Sequence, residues 1–401
     1  MSITRTSTTT TRWAVVALVV AAGLVAALQV GKAAIATPML QADLGLGLAA
    51  IGWLTSIFAV LGLVGGIPVG AAVASVGVRR VLIAGLLATA VAAAVGAMAT
   101  AYPLLLATRV VEGAGFLLIS VAAPSLLDDT DVVAPRHRDL AFAFWSCFMP
   151  AGIALALLIG PLLGGWHAIW WTSSAVTVLV LLGVLAAVPA RAGRQAWSWH
   201  RLAADTGTIL RAGSPLLLAA AFGLYSLMFF ALFSFLPVLL MARMQVDHQT
   251  AGMLSAFASA VNILGNLAAG MVLARGGSRL MLLSGANVVM GAAGLVIFLA
   301  VLPDTPTFLL CLVFSAVGGL IPATLLSSTP MAAPGASLTP VVFGLVMQGN
   351  NLGQVVGPVA VGSVIDAQGC DAAALIVAGA AVLAVVTAGA LARVLRRPAS
   401  P

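Results

Sequence analysis

The sequence predicts an all-α integral membrane protein, twelve transmembrane helices in two pseudo-symmetric six-helix bundles, on three observations. Of its 401 residues 62% are hydrophobic and only 7% charged, too few charges to cover the surface of a water-soluble domain. Apolar runs of about 20 residues, the length that crosses a hydrocarbon core of about 30 Å, recur along the chain. Finally, the segment from Gly52 to Arg79 returns 200 positions later. Gly52/Gly252, Leu54/Leu254, Gly65/Gly265, Gly70/Gly270, Ala74/Ala274, Gly77/Gly277 and Arg79/Arg279 are identical, and Thr55/Ser255 nearly so. A repeat of several apolar segments marks two related bundles around a central site.

The spans begin near Trp13, Leu48, Val81, Leu104, Leu140 and Ala168, and again near Pro215, Ala251, Leu280, Phe308, Val341 and Ala372. Residues 1–12 are a polar, Thr-rich cytoplasmic N-terminus. The apolar run that follows is too long for a signal-peptide core and lacks a small-residue cleavage site, so it reads as an uncleaved first helix. Residues 13–190 make the N-terminal bundle, 191–213 a cytoplasmic linker, 214–393 the C-terminal bundle and 394–401 a cytoplasmic C-terminus. The linker holds four arginines, His200 and two tryptophans; Trp197 and Trp199 read as interfacial anchors of an amphipathic stretch.

Charge placement tests that count, because cytoplasmic loops collect Lys and Arg. With both termini inside, Arg5, Arg12, Arg79, Arg80, Arg136, Arg138, Arg191, Arg194, Arg201, Arg211, Arg275, Arg279, Arg393, Arg396 and Arg397 are cytoplasmic, fifteen of the eighteen basic residues. Arg243 alone falls in an outer loop, and Lys32 and Arg109 fall inside spans. The net charge of +7 is thus a topological signature and gives no reason to expect nucleic acid as a partner.

Chemistry inside the spans is sparse. Arg109 and Glu112 lie three residues apart on the fourth span and can pair on one helix face; Glu112 is the only glutamate of the chain. An ionisable group in hydrocarbon costs about 2.5–3.5 kcal/mol even on the lenient insertion scale, which places this pair in a bundle interior or a water-filled cavity. Lys32 is the only lysine. It has two readings: contact with substrate in the cavity, or snorkelling to the outer headgroups from the end of the first span. Phe222, Tyr225 and Phe229 make an aromatic stripe on the seventh span, with Phe230 and Phe233 beside it. Asn262 and Asn266 lie one turn apart on the eighth, and Asn351 and Gln354 share a face of the eleventh; such amides either line a binding site or tie helices together. Pro124 and Pro322 allow bending in the fourth and tenth spans. Cys147, Cys311 and Cys370 are scattered and imply no disulfide framework. His137, His167, His200 and His248 lie in or beside loops without metal-ligand spacing, and no Gly-rich phosphate loop occurs. Neither an enzyme, a metal site, a cofactor nor ATP drive is expected.

The loop after the second span, Gly70 to Arg80, resembles the G-x-x-x-D-R-x-G-R-R signature of the major facilitator superfamily, and Gly270 to Arg279 resembles its second copy. The resemblance covers essentially the whole chain. Gly70, Gly77, Arg79, Arg80, Gly270, Gly277 and Arg279 are the matching gating or structural positions, but Ala74 and Ala274 stand where the family has an acid. Arg109-Val-Val-Glu112-Gly113-Ala-Gly115 is similar to the family's fourth-helix motif, which implies a cavity-lining, proton-coupling role for Glu112 and Arg109. Gly152-x-x-x-Ala156-x-x-x-Gly160-Pro161 resembles the motif of proton-driven exporters. Gly353-x-x-x-Gly357-Pro358 repeats the pattern in the eleventh span, so helix packing and a proline bend explain it as well. Trp145 to Gly152 and Gln348 to Gln354 look like carriers of cyanate and nitroimidazoles. The resemblance therefore implies a secondary transporter of the bacterial inner membrane, a monomer with a small organic substrate and the proton as partners, set in the lipid bilayer. Export in exchange for protons leads over uptake of a small anion, and a non-transporting receptor or scaffold is the third reading. The substrate-contact residues on this reading are Lys32, Trp145, Tyr225, Phe229, Asn262, Asn266, Asn351 and Gln354.

The topology predicts that a cysteine introduced at Arg194 reacts with an impermeant maleimide only from the cytoplasmic side. Labelling from the periplasm in intact cells would break the twelve-span arrangement.

Overall fold

The computed structural model describes residues 10–190 and 198–395; the expected anchor Trp197 and cytoplasmic residues Arg5, Arg191, Arg194, Arg396 and Arg397 lie outside that range, as does the side chain of Trp199. The described residues form sixteen α-helices. They are α1 (Trp13–Leu44), α2 (Leu48–Val76), α3 (Val78–Ala97), α4 (Tyr102–Leu127), α5 (Arg138–Ser146), α6 (Phe148–Ile159), α7 (Trp166–Ala187), α8 (Trp199–Ala212), α9 (Ser214–Met244), α10 (His248–Ala260), α11 (Asn262–Ala274), α12 (Arg279–Phe298), α13 (Asp304–Gly318), α14 (Leu320–Ala332), α15 (Thr339–Gln368) and α16 (Cys370–Leu395). Each of the twelve spans opens with a helix that starts within four residues of its expected position. Eleven are long and apolar enough to cross a membrane. The remaining one, α15, is 30 residues long, but its Gln348, Asn350, Asn351 and Gln354 lower its mean hydropathy.

Three spans are broken at mid-length. The fifth divides into α5 and α6 at Cys147, the eighth into α10 and α11 at Val261, and the tenth into α13 and α14 at Gly319. The eighth and tenth cross with no room for side chains: a β-carbon at Gly265 would run into the Ala316 carbonyl, and one at Gly319 into the Asn262 carbonyl. Backbones at this separation gain dispersion contacts that lipid tails cannot match, the usual source of helix association in membranes.

The small-residue stripes of the fifth and eleventh spans do the same job in equivalent places. In the first half Gly152 packs on Ala27, Gly160 on Ile35, and Ala156 meets Gly31, all on α1. In the second half Gly349, Gly353 and Gly357 pack on Ala219, Gly223 and Leu227 of α9. Spans five and one are thus joined as spans eleven and seven are, which is the duplication read in three dimensions. Across the two halves α2 packs on α15, and α5 on α11 and α14.

α8, within the linker, is amphipathic, with Ile209 buried and Arg211 in its last turn. Gly77, at φ 99°, turns the chain directly from α2 into α3, a conformation that a side chain there would strain.

Packing against a carbonyl makes Gly353 intolerant of side chains. Gly353→Val is expected to destabilise the protein by about 1–3 kcal/mol through overpacking, lowering its melting temperature in detergent, while Gly285→Val, which faces open space, leaves it nearly unchanged.

Candidate functional site

The apolar core of the N-terminal half encloses three ionisable side chains. Lys32 on α1 donates to Glu112 Oε1 at 2.6 Å, and Arg109 Nη1 to Glu112 Oε2 at 2.5 Å. Lys32 is 1% exposed, and Arg109 and Glu112 are fully buried. Arg109 also donates through Nε to the Leu54 carbonyl at 2.9 Å and through Nη1 to the Gln29 carbonyl at 2.7 Å, and its guanidinium lies 4.3 Å from the centre of the Phe58 ring. Lys32 reaches Ser173 Oγ at 3.3 Å and sits 4.4 Å over Trp170. Four spans therefore converge on one carboxylate. With all three groups ionised the cluster carries one positive charge in excess, and Arg109 Nη2 has no partner.

These contacts correct both readings of Lys32. It does not snorkel, because its ammonium is turned into the bundle. It does not line the cavity either. Its neighbours Val30, Gly31 and Ala34 do, so α1 is a wall with the cavity on one side and the charges on the other.

The cavity, about 530 Å³, lies between the halves around the middle of the spans. One wall is the stripe of α9: Phe222, Tyr225, Phe229 and Phe233 succeed one another with ring centres 6.1, 5.7 and 4.3 Å apart. Asn262 and Gln354 also reach it. Asn262 Nδ2 donates to Tyr225 Oη at 3.2 Å and to the Ser315 carbonyl at 3.0 Å, so it lines the cavity and ties three spans together. Trp145, Asn266 and Asn351, expected in substrate contact, are off the cavity lining. Trp145 stacks on Phe148 at 4.4 Å, filling the space left by Gly23. Asn266 turns back to the Asn262 carbonyl and Oδ1 at the helix break, and Asn351 donates to the Met347 carbonyl where α15 meets Gly62 of α2. Asn350, one residue away, lines the cavity instead.

At the end of the molecule that carries the described termini the halves close on each other. Gly66 meets Gly344, Gly70 meets Pro340 and Val341, and Gly270 meets Ala143 and Asp139. The Phe142 and Phe343 rings stack at 5.9 Å. Arg279 Nη2 donates to Asp139 Oδ1 at 2.6 Å and Arg279 Nε to Ser328 Oγ at 3.1 Å. An acid is missing from both repeats, with Ala74 and Ala274 in its place, yet the cross-half ion pair exists because the fifth span supplies Asp139. Arg79 behaves differently from its counterpart and donates to the Leu185 carbonyl within its own half at 2.7 Å; Arg80 is exposed. Gly276, not Gly277, takes the positive φ of the second repeat, at 82°. Gly160 and Pro161 form a 3₁₀ turn after α6, and Pro358 lies inside α15. The cavity lining continues toward the opposite end through Thr55, Leu157, Phe233, Pro237 and Gly252, which is the open side.

Gln29, Ser173, Trp170 and Phe58 complete the charged cluster. One signal for Gln29 is in the sequence: it is a polar residue three positions before Lys32 and so on the same helix face. The Trp170 and Ser173 contacts bridge more than 130 positions of chain and leave no local trace.

The family model of the Major Facilitator Superfamily matches residues 19–347 and 218–401. No curated protein matches the sequence. Among solved structures, the fold is similar to the human organic anion transporter MFSD10 (TETRAN), with a TM-score of 0.78 at 19% identity over 94% of this chain and 99% of that one. It is similar also to the E. coli fucose:proton symporter in the outward conformation, at 0.78 and 16% over 94% and 98%. At these identities the likeness is one of fold.

The Asp139–Arg279 pair is partly exposed, at 21% and 28%, so its contribution to closure is of order 1 kcal/mol or less. Asp139→Asn is expected to raise the labelling rate of Ala143→Cys, in a background without Cys147, Cys311 and Cys370, by up to about fivefold, and Arg279→Asp combined with Asp139→Arg to return it to the starting rate. An unchanged rate in Asp139→Asn would show that glycine packing alone closes this end.

Proposed function

The chain belongs to the major facilitator superfamily, a family of secondary transporters, and from that premise we propose that it exports a small organic solute in exchange for protons. The observation that carries this reading is the buried cluster of Lys32, Glu112 and Arg109. Arg109 keeps its proton at any accessible pH, so the exchangeable proton of the cluster is the one between Lys32 Nζ and Glu112 Oε1, 2.6 Å apart. Its release leaves a neutral amine and a carboxylate balanced by the guanidinium. The buried cluster then carries no net charge, the arrangement that apolar surroundings favour. Glu112 alone is thus not the carrier; Lys32 shares the proton, and Arg109 holds the carboxylate ionised after release.

Coupling runs through α1. A change of charge behind this helix alters how it sits against α4 and α7, and its other face is a wall of the solute cavity. The stripe Gly152, Ala156 and Gly160 keeps α6 close on α1, so the two move together. That likeness to the exporter motif supports outward transport. Uptake of an anion is disfavoured, because it requires Lys32 and Arg109 to face the solute, and both face Glu112.

Glu112→Gln keeps the side-chain shape and removes the carboxylate. In proteoliposomes it is expected to abolish accumulation driven by a pH gradient while preserving solute binding and solute counterflow, because Lys32 can shed its proton and leave a single buried cation. Arg109→Ala is expected to impair both, since removing one partner of a buried ion pair costs about 3–5 kcal/mol. Uphill transport at the wild-type level in Glu112→Gln would remove the cluster from the coupling step.

A further inference from the structure

We propose that the solute of this cavity is uncharged: a molecule with an aromatic, mostly apolar body and a neutral hydrogen-bonding group of the carboxamide kind, rather than an organic anion or cation. The proposal rests on the transport reading for its setting but on the cavity for its chemistry. No Asp, Glu, Lys, Arg or His is among the lining residues. The nearest buried charges, those of Lys32, Glu112 and Arg109, are turned away behind α1 and engaged with one another. A charged solute would enter without a counter-ion into a space bounded by apolar helices, and desolvation then opposes binding.

Two alternatives fail on the same lining. The aromatic wall of α9 attracts cations, but a ring face returns less than the desolvation of an ammonium takes away when no carboxylate is near. Phe229 and Phe233 already stack on each other and present edges and faces suited to another ring. An anion would need donors only. The polar groups that reach the cavity without a protein partner of their own are mixed: the Gln354 amide, both donor and acceptor, and the Asn350 amino group, whose Oδ1 is occupied by Ser226 at 2.5 Å. A carboxamide matches Gln354 donor to acceptor and acceptor to donor, whereas a carboxylate sets its charge against the amide oxygen.

Charge balance gives the proposal a second consequence. Exchange of one neutral molecule for one proton moves one positive charge inward, exchange of a monovalent cation moves none, and exchange of a monovalent anion moves two.

The test uses three probes on one scaffold: biphenyl-4-carboxamide, biphenyl-4-carboxylate and biphenyl-4-trimethylammonium. Binding is measured to the full-length protein in lipid nanodiscs, and transport currents on proteoliposomes. The carboxamide is expected to bind at least tenfold more tightly than either ion, to lose at least fivefold in Gln354→Ala, and to generate an inward current with a proton gradient. Ser259→Asp, which places a carboxylate in the lining, is expected to bring the ammonium probe above the carboxamide. Equal or tighter binding of either ion to the wild-type protein would overturn the proposal, as would an unaltered preference in Ser259→Asp. Selective carboxamide binding without any proton-driven current would leave the solute class standing and refute the proton-coupled transport reading instead.

Discussion

A carboxylate between an ammonium and a guanidinium, sealed inside an apolar bundle, is the interaction on which the N-terminal half depends. Each of these ions would cost several kcal/mol if buried alone, so the three must be brought together by the fold or not be buried at all. That requirement fixes the rotation of α1, which turns Gln29 and Lys32 inward and leaves Val30, Gly31 and Ala34 for the cavity. It fixes α4, whose Arg109 and Glu112 point at α1 and at the Leu54 carbonyl, and α7, whose Trp170 and Ser173 complete the Lys32 surroundings.

The two halves, alike in packing, have diverged in chemistry. Their fifth and eleventh spans use small residues to approach α1 and α9, but only the first half holds buried charges, and the second contributes the aromatic stripe and most of the amides that meet the cavity. Asn262 has no charged analogue in the first half; it bridges Tyr225 and the Ser315 carbonyl and steadies the breaks in the eighth and tenth spans. The end carrying the termini is closed chiefly by backbone contact at Gly66, Gly70 and Gly270, a seal that opens by separation of surfaces. A partly exposed ion pair at Asp139 adds only a modest bias.

Much of this was legible in the sequence because it is written in local pattern. Twelve apolar runs, the 200-residue repeat and the basic loops define the bundle, and the three-residue spacing of Arg109 and Glu112 foretells their pairing. Lys32 was misplaced in both readings for a physical reason: periodicity gives depth along a helix but not the direction in which a lone residue faces. Depth alone permitted snorkelling, and rarity alone hinted at substrate contact. Trp145 and Asn351 likewise bear side chains that suit a binding site, yet Gly23 and Gly62 leave gaps on neighbouring helices that they fill. Asp139 as the partner of Arg279 was hidden because the pair spans 140 positions.

The central claim is that the proton shared by Lys32 and Glu112 drives the solute uphill through α1. It is tested most directly by reconstituting Lys32→Gln and following a transported solute with and without an imposed pH gradient. The account predicts that this variant equilibrates solute down its own gradient at a rate near that of the wild type but accumulates none against it, because Glu112 and Arg109 then form a neutral pair with no exchangeable proton. Accumulation by Lys32→Gln equal to the wild type under the same pH gradient would contradict it.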